Sequence, residues 1–271
     1  MQKRHTDRAR YFSELAYTCE KYIVPYVSRW FTDAPGHPSV LEVGCGDGGN
    51  LVPFSRRGWE TVGIDISVRR ITDAVDFFEK ENLPGKFICA DIFSVDGFDG
   101  RFDLVLCHDV LEHVESKLDL LLKMERFLKP GGRIFMAFPA WWMPFGGHQQ
   151  ICRGTFISRL PFIHLLPSWI YKKILCLAGE SDECVRELLM IKNTGVTVET
   201  FERMVHESGM GITDRRLYFI NPHYEIKFGL RPRLLNSAIA GIPGIRNFFS
   251  TSCFYLLSRS NVTDVARHHK S

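Results

Sequence analysis

A chain of 271 residues is long for one average domain and short for two, so one α/β domain with insertions or a small cap is expected. Hydrophobic residues at 45% and charged residues at 24% exclude a disordered or fibrous chain. A net charge of +3, with basic residues scattered apart from pairs such as Arg56-Arg57, Arg69-Arg70 and Arg215-Arg216, gives no footprint for nucleic acid.

The chain opens on "MQKRHTDRARYF", which is basic but lacks the apolar core of a signal peptide. From Arg8 to Phe31, Tyr11, Leu15, Tyr22, Tyr26 and Trp30 recur at helical spacing interrupted by Pro25, and Asp33-Ala34-Pro35-Gly36 reads as a turn. These features define an N-terminal helical segment, 1–36. From 37 to 139 the pattern becomes strand, loop, helix, repeated. Strands are expected at Val40–Val43, Glu60–Ile64, Phe87–Ala90, Phe102–Cys107 and Arg133–Phe138, the last after the turn Lys129-Pro130-Gly131-Gly132. Helices are expected at Asn50–Arg57, Val68–Glu81 and Leu118–Leu128. Such alternation implies a mostly parallel sheet with helices on both faces and a ligand site beyond the C-terminal strand ends.

After Pro139 the alternation stops, and 140–196 reads as an inserted cap rich in aromatics and prolines. Its most apolar stretch, Phe156 to Gly179, is broken by Arg159, Pro161, His164, Pro167, Lys172 and Lys173, so no spanning helix is expected. The core resumes over 197–260. A helix at Val198–Glu207 starts on Thr197 and stops near Gly209. Strands near Ile212–Ile220 and Ser252–Ser258 then form a closing hairpin with a long excursion, which makes the final strand antiparallel, and 261–271 is a tail. Eight cysteines (Cys19, Cys45, Cys89, Cys107, Cys152, Cys176, Cys184, Cys253) include no C-x-x-C pair, so a reducing, cytoplasmic setting is expected.

The first loop, in "VLEVGCGDGGN", fits two patterns. Gly44, Gly46 and Gly49 match the dinucleotide form G-x-G-x-x-G, while Gly44, Gly46 and Gly48 match G-x-G-x-G. A pyrophosphate cradle should not be flanked by acids, yet Glu42 and Asp47 flank this loop and suit a cationic ligand better. Asp65 ends the second strand 21 residues after Gly44, the spacing of a carboxylate that accepts ribose hydroxyls.

"VLEVGCGDG", "GIDIS", "CADIFS", "FDLVLCHDVLEHV" and "LKPGGRIFMAFP" together resemble, in order and spacing, the class I S-adenosylmethionine-dependent methyltransferases. The resemblance runs over about Tyr11 to Pro139. It implies a Rossmann-like, seven-stranded, mostly parallel α/β sheet with S-adenosyl-L-methionine as cofactor. Carried over by position, Gly44, Cys45, Gly46 and Gly48 approach the cofactor through backbone, and Glu42 organises its ammonium. Asp65 takes the ribose, Ile66 packs on adenine, and Asp91 accepts from the adenine amine with Ile92 alongside. Cys107 and His108 line the methyl channel.

Methyl transfer to a hydroxyl needs a proton acceptor, which a histidine with a near-neutral pKa supplies. His148 in "PAWWMPFGGHQQ" follows the fifth strand and is the first candidate, with His108 and His113 as rivals; Trp141, Trp142, Met143 and Phe145 read as an apolar lid. No metal site stands out. Asp109, Glu112 and His113 share one helical face, which capping and channel polarity also explain. "FGGHQ" and "YEIKFGLRP" resemble methyltransferases of bacterial surface-polysaccharide pathways and imply O-methylation of a sugar or glycan precursor. "LEHV" resembles ubiquinone-pathway enzymes and implies a quinone or catechol acceptor instead; a catalytically silent S-adenosylmethionine-binding regulator is the third reading. Partners expected are a small-molecule acceptor and no nucleic acid, with peripheral membrane contact through Arg153 to Lys173 compatible with that segment's basic, aromatic character.

Overall fold

The computed structural model describes residues 7–31 and 37–260; the turn expected at Asp33-Ala34-Pro35-Gly36, the opening residues 1–6 and the tail 261–271 lie outside the described residues.

The centre is built from short apolar runs. β1 (Ser39–Val43) is buried at every position, as a strand covered on both faces requires. It pairs in parallel with β2 (Glu60–Asp65); β3 (Lys86–Cys89) extends the sheet beside β2. On the other side of β1 lie β4 (Phe102–His108) and β5 (Leu128–Phe138), also parallel. The turn expected at Lys129 to Gly132 is a bulge inside β5: pairing shifts between Phe102 and Leu104, and Gly131 takes φ +79°. β6 (Met210–Ile220), β7 (Arg233–Leu234) and β8 (Ser252–Arg259) finish the sheet in the order β3-β2-β1-β4-β5-β8-β6-β7. β8 is antiparallel to both neighbours, the expected final strand. An eighth strand is added to the expected seven, because the two-residue β7 is too short to show a hydrophobic pattern.

Helices cover both faces. One face carries α1 (Arg8–Thr18), α2 (Val24–Ser28), α3 (Val52–Ser55) and α4 (Val68–Lys80), which close over Tyr26, Phe54, Phe78, Phe135 and Phe254. Between α1 and α2 the backbone widens into a π-helical stretch, Cys19–Ile23, so Pro25 sits in the first turn of α2, where its missing N–H costs little. On the other face α5 (Lys117–Phe127) packs over Leu121, Phe127 and Phe138.

Residues 140–196 hold α6 (Ser168–Leu177) and α7 (Asp182–Thr194) after three short 3₁₀ turns, around a separate small core of Ile157, Tyr171, Leu175, Val185 and Leu188. α8 (Val198–Glu207) starts on Thr197, whose hydroxyl accepts from the Thr200 amide at 3.1 Å, and joins α5 on its face of the sheet. The excursion between β6 and β8 carries α9 (His223–Phe228), α10 (Ser237–Ala240) and α11 (Ile245–Phe249).

Asn247 of α11 ties that excursion to α8. It is fully buried; its Oδ1 accepts from the Val198 amide at 2.8 Å, and its Nδ2 donates to Glu199 at 2.6 Å. Neighbouring Arg246 pairs with Glu199 and Glu202 at 2.8 and 2.9 Å. Asn247→Ala strands a buried amide at the start of α8 and is expected to cost about 2–3 kcal/mol, read as a lower urea midpoint at unchanged slope. An unchanged midpoint would show that the link carries no stability.

Candidate active site

β1, β2, β4, β5 and β6 all point their C-terminal ends to one edge, and the loops there form the candidate site. Gly44, Gly46 and Gly48 all take positive φ, +68°, +53° and +81°. At Gly44 a side chain is also excluded by space, since a Cβ would lie 2.3 Å from Val110 Cγ2. Gly49 is different. Its φ is ordinary, and a Cβ would lie 2.7 Å from the Phe12 carbonyl of α1. The third glycine of the dinucleotide pattern therefore serves the packing of α1, a tertiary contact that loop spacing cannot reveal.

The two flanking acids part company. Asp47 is buried and turned onto Arg8 of α1 in an ion pair, and Arg8 also reaches Asp73 at 3.3 Å. Its charge is answered within the protein, so the argument for a cationic ligand rests on Glu42 alone. Glu42 is buried, with Oε1 accepting from Asn50 Nδ2 at 2.7 Å and Oε2 without a hydrogen-bond partner among the described residues. Burial, opposed by the Asn50 bond, pushes its carboxyl up to about 8.

Asp65 Oδ2 accepts from the Gly46 amide at 2.9 Å and Oδ1 from the Ser67 amide at 2.8 Å, which fixes the carboxylate and leaves each oxygen a second lone pair. Beside it Ile66 is 75% exposed, an uncovered apolar lip. Asp91 caps the 3₁₀ turn Ile92–Ser94, its Oδ1 accepting from the Phe93 amide at 3.0 Å. That turn sends Ile92 into the core and leaves Phe93 exposed, so Phe93 is the apolar side chain presented beside Asp91. Cys45 points at Gly63, where a Cβ would lie 2.7 Å from its Sγ, so only its backbone faces the loop. Cys107 is fully buried in the core among sheet residues, where burial raises its thiol pKa.

The three candidate histidines converge near the end of β4. His108 closes that strand, with Nδ1 3.5 Å from Asp109 Oδ2, and Asp109 is a non-glycine residue at φ +53°. Glu112 and His113 follow in a 3₁₀ turn, Leu111–His113, rather than on the helical face expected for Asp109, Glu112 and His113. Thr194 at the end of α7 holds the turn by donating to the Glu112 carbonyl at 2.5 Å. His148 arrives from the cap at φ +56°, its Nε2 3.6 Å from Glu112 Oε1 and its ring 5.3 Å from that of His113. Burial, reinforced by His113, pushes His148 down to about 4, and burial likewise lowers His113. Burial, with Asp109 adding, raises the Glu112 carboxyl.

The expected lid is mostly internal packing. Trp141 sits over Gly195 and 4.6 Å from the His164 ring, and its carbonyl meets His164 Nε2 at 2.8 Å. Trp142 packs on Phe248 and Met143 is buried, while Phe145 remains partly exposed. The edge also gathers residues that the sequence reading passed over. Tyr11, His223 and Tyr224 lie near the Asp109 charge, as His113 and His148 do. Tyr11 and His223 meet edge to face at 6.2 Å, and His223 Nδ1 lies 3.0 Å from Thr18 Oγ1. The signal for His223 was the Asn221-Pro222 turn ending a strand parallel to β5, which lifts the following residues over the same edge.

With this geometry in place, residues 41–136 match a family model described as a methyltransferase domain. The segment is similar to a methyltransferase domain, and the sheet around it has the class I methyltransferase fold. The matched segment runs from β1 into β5, so it holds the glycine loop, Asp65, Asp91, His108 and His113 while His148 and the cap lie outside it. An uncharacterized methyltransferase of Mycobacterium sp. (strain KMS) is 31% identical over 144 residues, 53% of this chain and 56% of that protein. A ubiquinone biosynthesis O-methyltransferase of Rhodopseudomonas palustris (strain HaA2) is 31% identical over 41% of this chain and 50% of its own length. The chain thus spans about half the length of the curated relatives it matches. Among solved structures, the plantazolicin methyltransferase BpumL with a triazolic analogue and S-adenosylhomocysteine superposes with TM-score 0.55 at 16% identity, covering 96% of this chain and 89% of that one. A geranyl diphosphate C-methyltransferase of Streptomyces coelicolor A3(2) gives 0.55 at 14% identity over 89% and 79%. These likenesses extend the methyltransferase fold over the cap and the C-terminal strands, outside the matched domain.

Proposed function

We propose that the protein transfers a methyl group from S-adenosylmethionine to a hydroxyl of a small-molecule acceptor, a sugar of a lipid-linked glycan precursor. The residues fit the cofactor: the positive-φ glycines leave backbone open at the loop, Glu42 Oε2 is a buried acceptor without a hydrogen-bond partner among the described residues, and Asp65 keeps free lone pairs beside exposed Ile66. The bound cofactor supplies an electrophilic methyl carbon on a sulfonium, and passing it to oxygen breaks the C–S bond and leaves S-adenosylhomocysteine. The protein's part is alignment, exclusion of water and removal of one proton. Of the three histidines, His108 takes that proton: it stands at the end of β4 with Asp109 beside Nδ1, which would make Nε2 the proton acceptor. His148 is the weaker base, since burial holds it near 4.

The observation that carries the acceptor class is the exposed apolar and basic side chains of the cap. Phe156, Trp169 and Leu177 are each exposed in the cap, as are Arg153, Arg159, Lys172 and Lys173, a composition suited to an anionic lipid surface that presents a lipid-linked substrate. No helix among the described residues is long and apolar enough to cross a membrane. A second reading, a prenylated quinone precursor, is favoured by an open groove walled by Pro144, Phe162, Phe219, Phe248 and Phe249, which suits an isoprenoid tail. The deciding experiment supplies methyl-labelled S-adenosylmethionine with polyprenyl-linked sugars, soluble nucleotide sugars and prenylated catechols. Label in the first supports the leading reading, label in the catechol the second, and cofactor binding without any S-adenosylhomocysteine would leave a silent binding protein.

Glu42 sets a pH dependence. Its raised pKa means that the ligand-free protein carries a neutral carboxyl below about 8, and a cationic ligand favours the carboxylate. Cofactor affinity should therefore rise with pH, by up to about tenfold per unit between pH 6 and 8. Calorimetry on Glu42→Gln should show that slope flattened; an unaltered slope would remove Glu42 from the site.

A further inference from the structure

We propose that Glu112, His113 and His148 bind one divalent transition-metal ion at the boundary between the methyltransferase domain and the cap. One ligand atom from each residue already lies within 4.8 Å of the other two. Bonds of about 2.0–2.1 Å around a tetrahedral ion put neighbouring ligand atoms about 3.4 Å apart, so the 3.6 Å between His148 Nε2 and Glu112 Oε1 needs almost no closure. That separation is too long for a hydrogen bond.

Glu112 supplies the second, independent observation. Its side chain is 2% exposed, and neither carboxylate oxygen accepts a hydrogen bond among the described residues. A buried carboxyl with both oxygens unanswered is costly unless something positive enters the space. The backbone supports the same reading, because Thr194 fixes the Glu112 turn from α7 while the left-handed turn at His148 aims its ring at Glu112 rather than at solvent.

Two imidazoles and one carboxylate select zinc, iron(II), cobalt or manganese over magnesium or calcium, which demand oxygen ligands. Three protein ligands also leave positions open. The cluster stands beside His108 and Asp109, so the open side meets the space assigned to the acceptor. An acceptor hydroxyl oxygen entering such a position would release its proton more readily, to His108, before taking the methyl group. This use of the ion rests on the methyl-transfer reading; the binding of the ion does not. A second grouping, Cys152, Glu180 and Cys184, is of another kind, since the two Glu180 oxygens already accept the Gly154 and Arg153 amides at 2.9 Å.

The test uses the full chain, freed of metal with chelator and titrated with cobalt(II) alone, then with zinc(II) in competition. One equivalent of cobalt should bind with visible d–d bands and without thiolate charge-transfer bands, and zinc should displace it. Glu112→Gln and His148→Ala should each weaken binding by about 100-fold or more, with circular dichroism and S-adenosylmethionine affinity near those of the parent protein. Should Glu112→Gln not fold, the comparison rests on His148→Ala, whose side chain is partly exposed and sits in a short cap turn. Failure to bind a stoichiometric ion, thiolate bands, or variants that bind like the parent would each overturn the site. Loss of cofactor binding with metal binding intact would instead count against the methyl-transfer reading.

Discussion

Asp65→Ala is expected to weaken S-adenosylmethionine binding by about 100-fold or more and, because it strands the Gly46 and Ser67 amides, to lower stability by about 2–3 kcal/mol. Two effects add. The carboxylate would lose its bonds to the ribose hydroxyls, and charge-assisted hydrogen bonds are each worth about 1.5–3 kcal/mol when made to a buried acceptor. It also holds the Gly46 and Ser67 amides, so its removal releases the glycine loop and the start of α4 together. Asp65→Asn keeps one oxygen acceptor and should fall between the two. Calorimetry decides the matter, and an affinity equal to that of the parent would remove Asp65 from the cofactor site.

The second large effect is expected at His108. His108→Ala should lower the rate of S-adenosylhomocysteine formation by about 10²–10³-fold, the usual worth of a positioned proton acceptor, with cofactor affinity changed less than about twofold. That split separates a residue at the acceptor from one that shapes the cofactor pocket. An unchanged rate would pass the proton to another group at the same edge.

Much of this molecule was legible from local pattern. Buried runs such as Val40–Val43 and Val62–Ile64 read as strands because a strand covered on both faces is built almost wholly of apolar residues, Glu42 being the polar exception. Thr197 read as a helix start because its hydroxyl can satisfy an amide within its own turn. The positive φ of Gly44, Gly46 and Gly48 was legible for the same reason, since a tight strand-to-helix loop writes its backbone constraints within a few residues.

What failed to show in the sequence depends on which distant segments meet. Gly49 looked like part of a nucleotide loop until α1 was seen against it, and Asp47 looked like a charge offered to a ligand until Arg8 was found on it. Cys107 and Ile92 carried plausible site positions but face the core, because one residue of register decides which side of a strand or turn a side chain takes. Glu112 and His148 are 36 residues apart and showed no pairing pattern, yet the cap folds one onto the other. The order of strands and helices, and the glycine loop with Asp65 at the end of the second strand, could be read directly from the chain, because they rest on interactions between near neighbours. Which charges are already paired, which side chains are sealed in the core and which histidines meet Glu112 came from the folded chain, because long-range packing sets them and no local spacing encodes it.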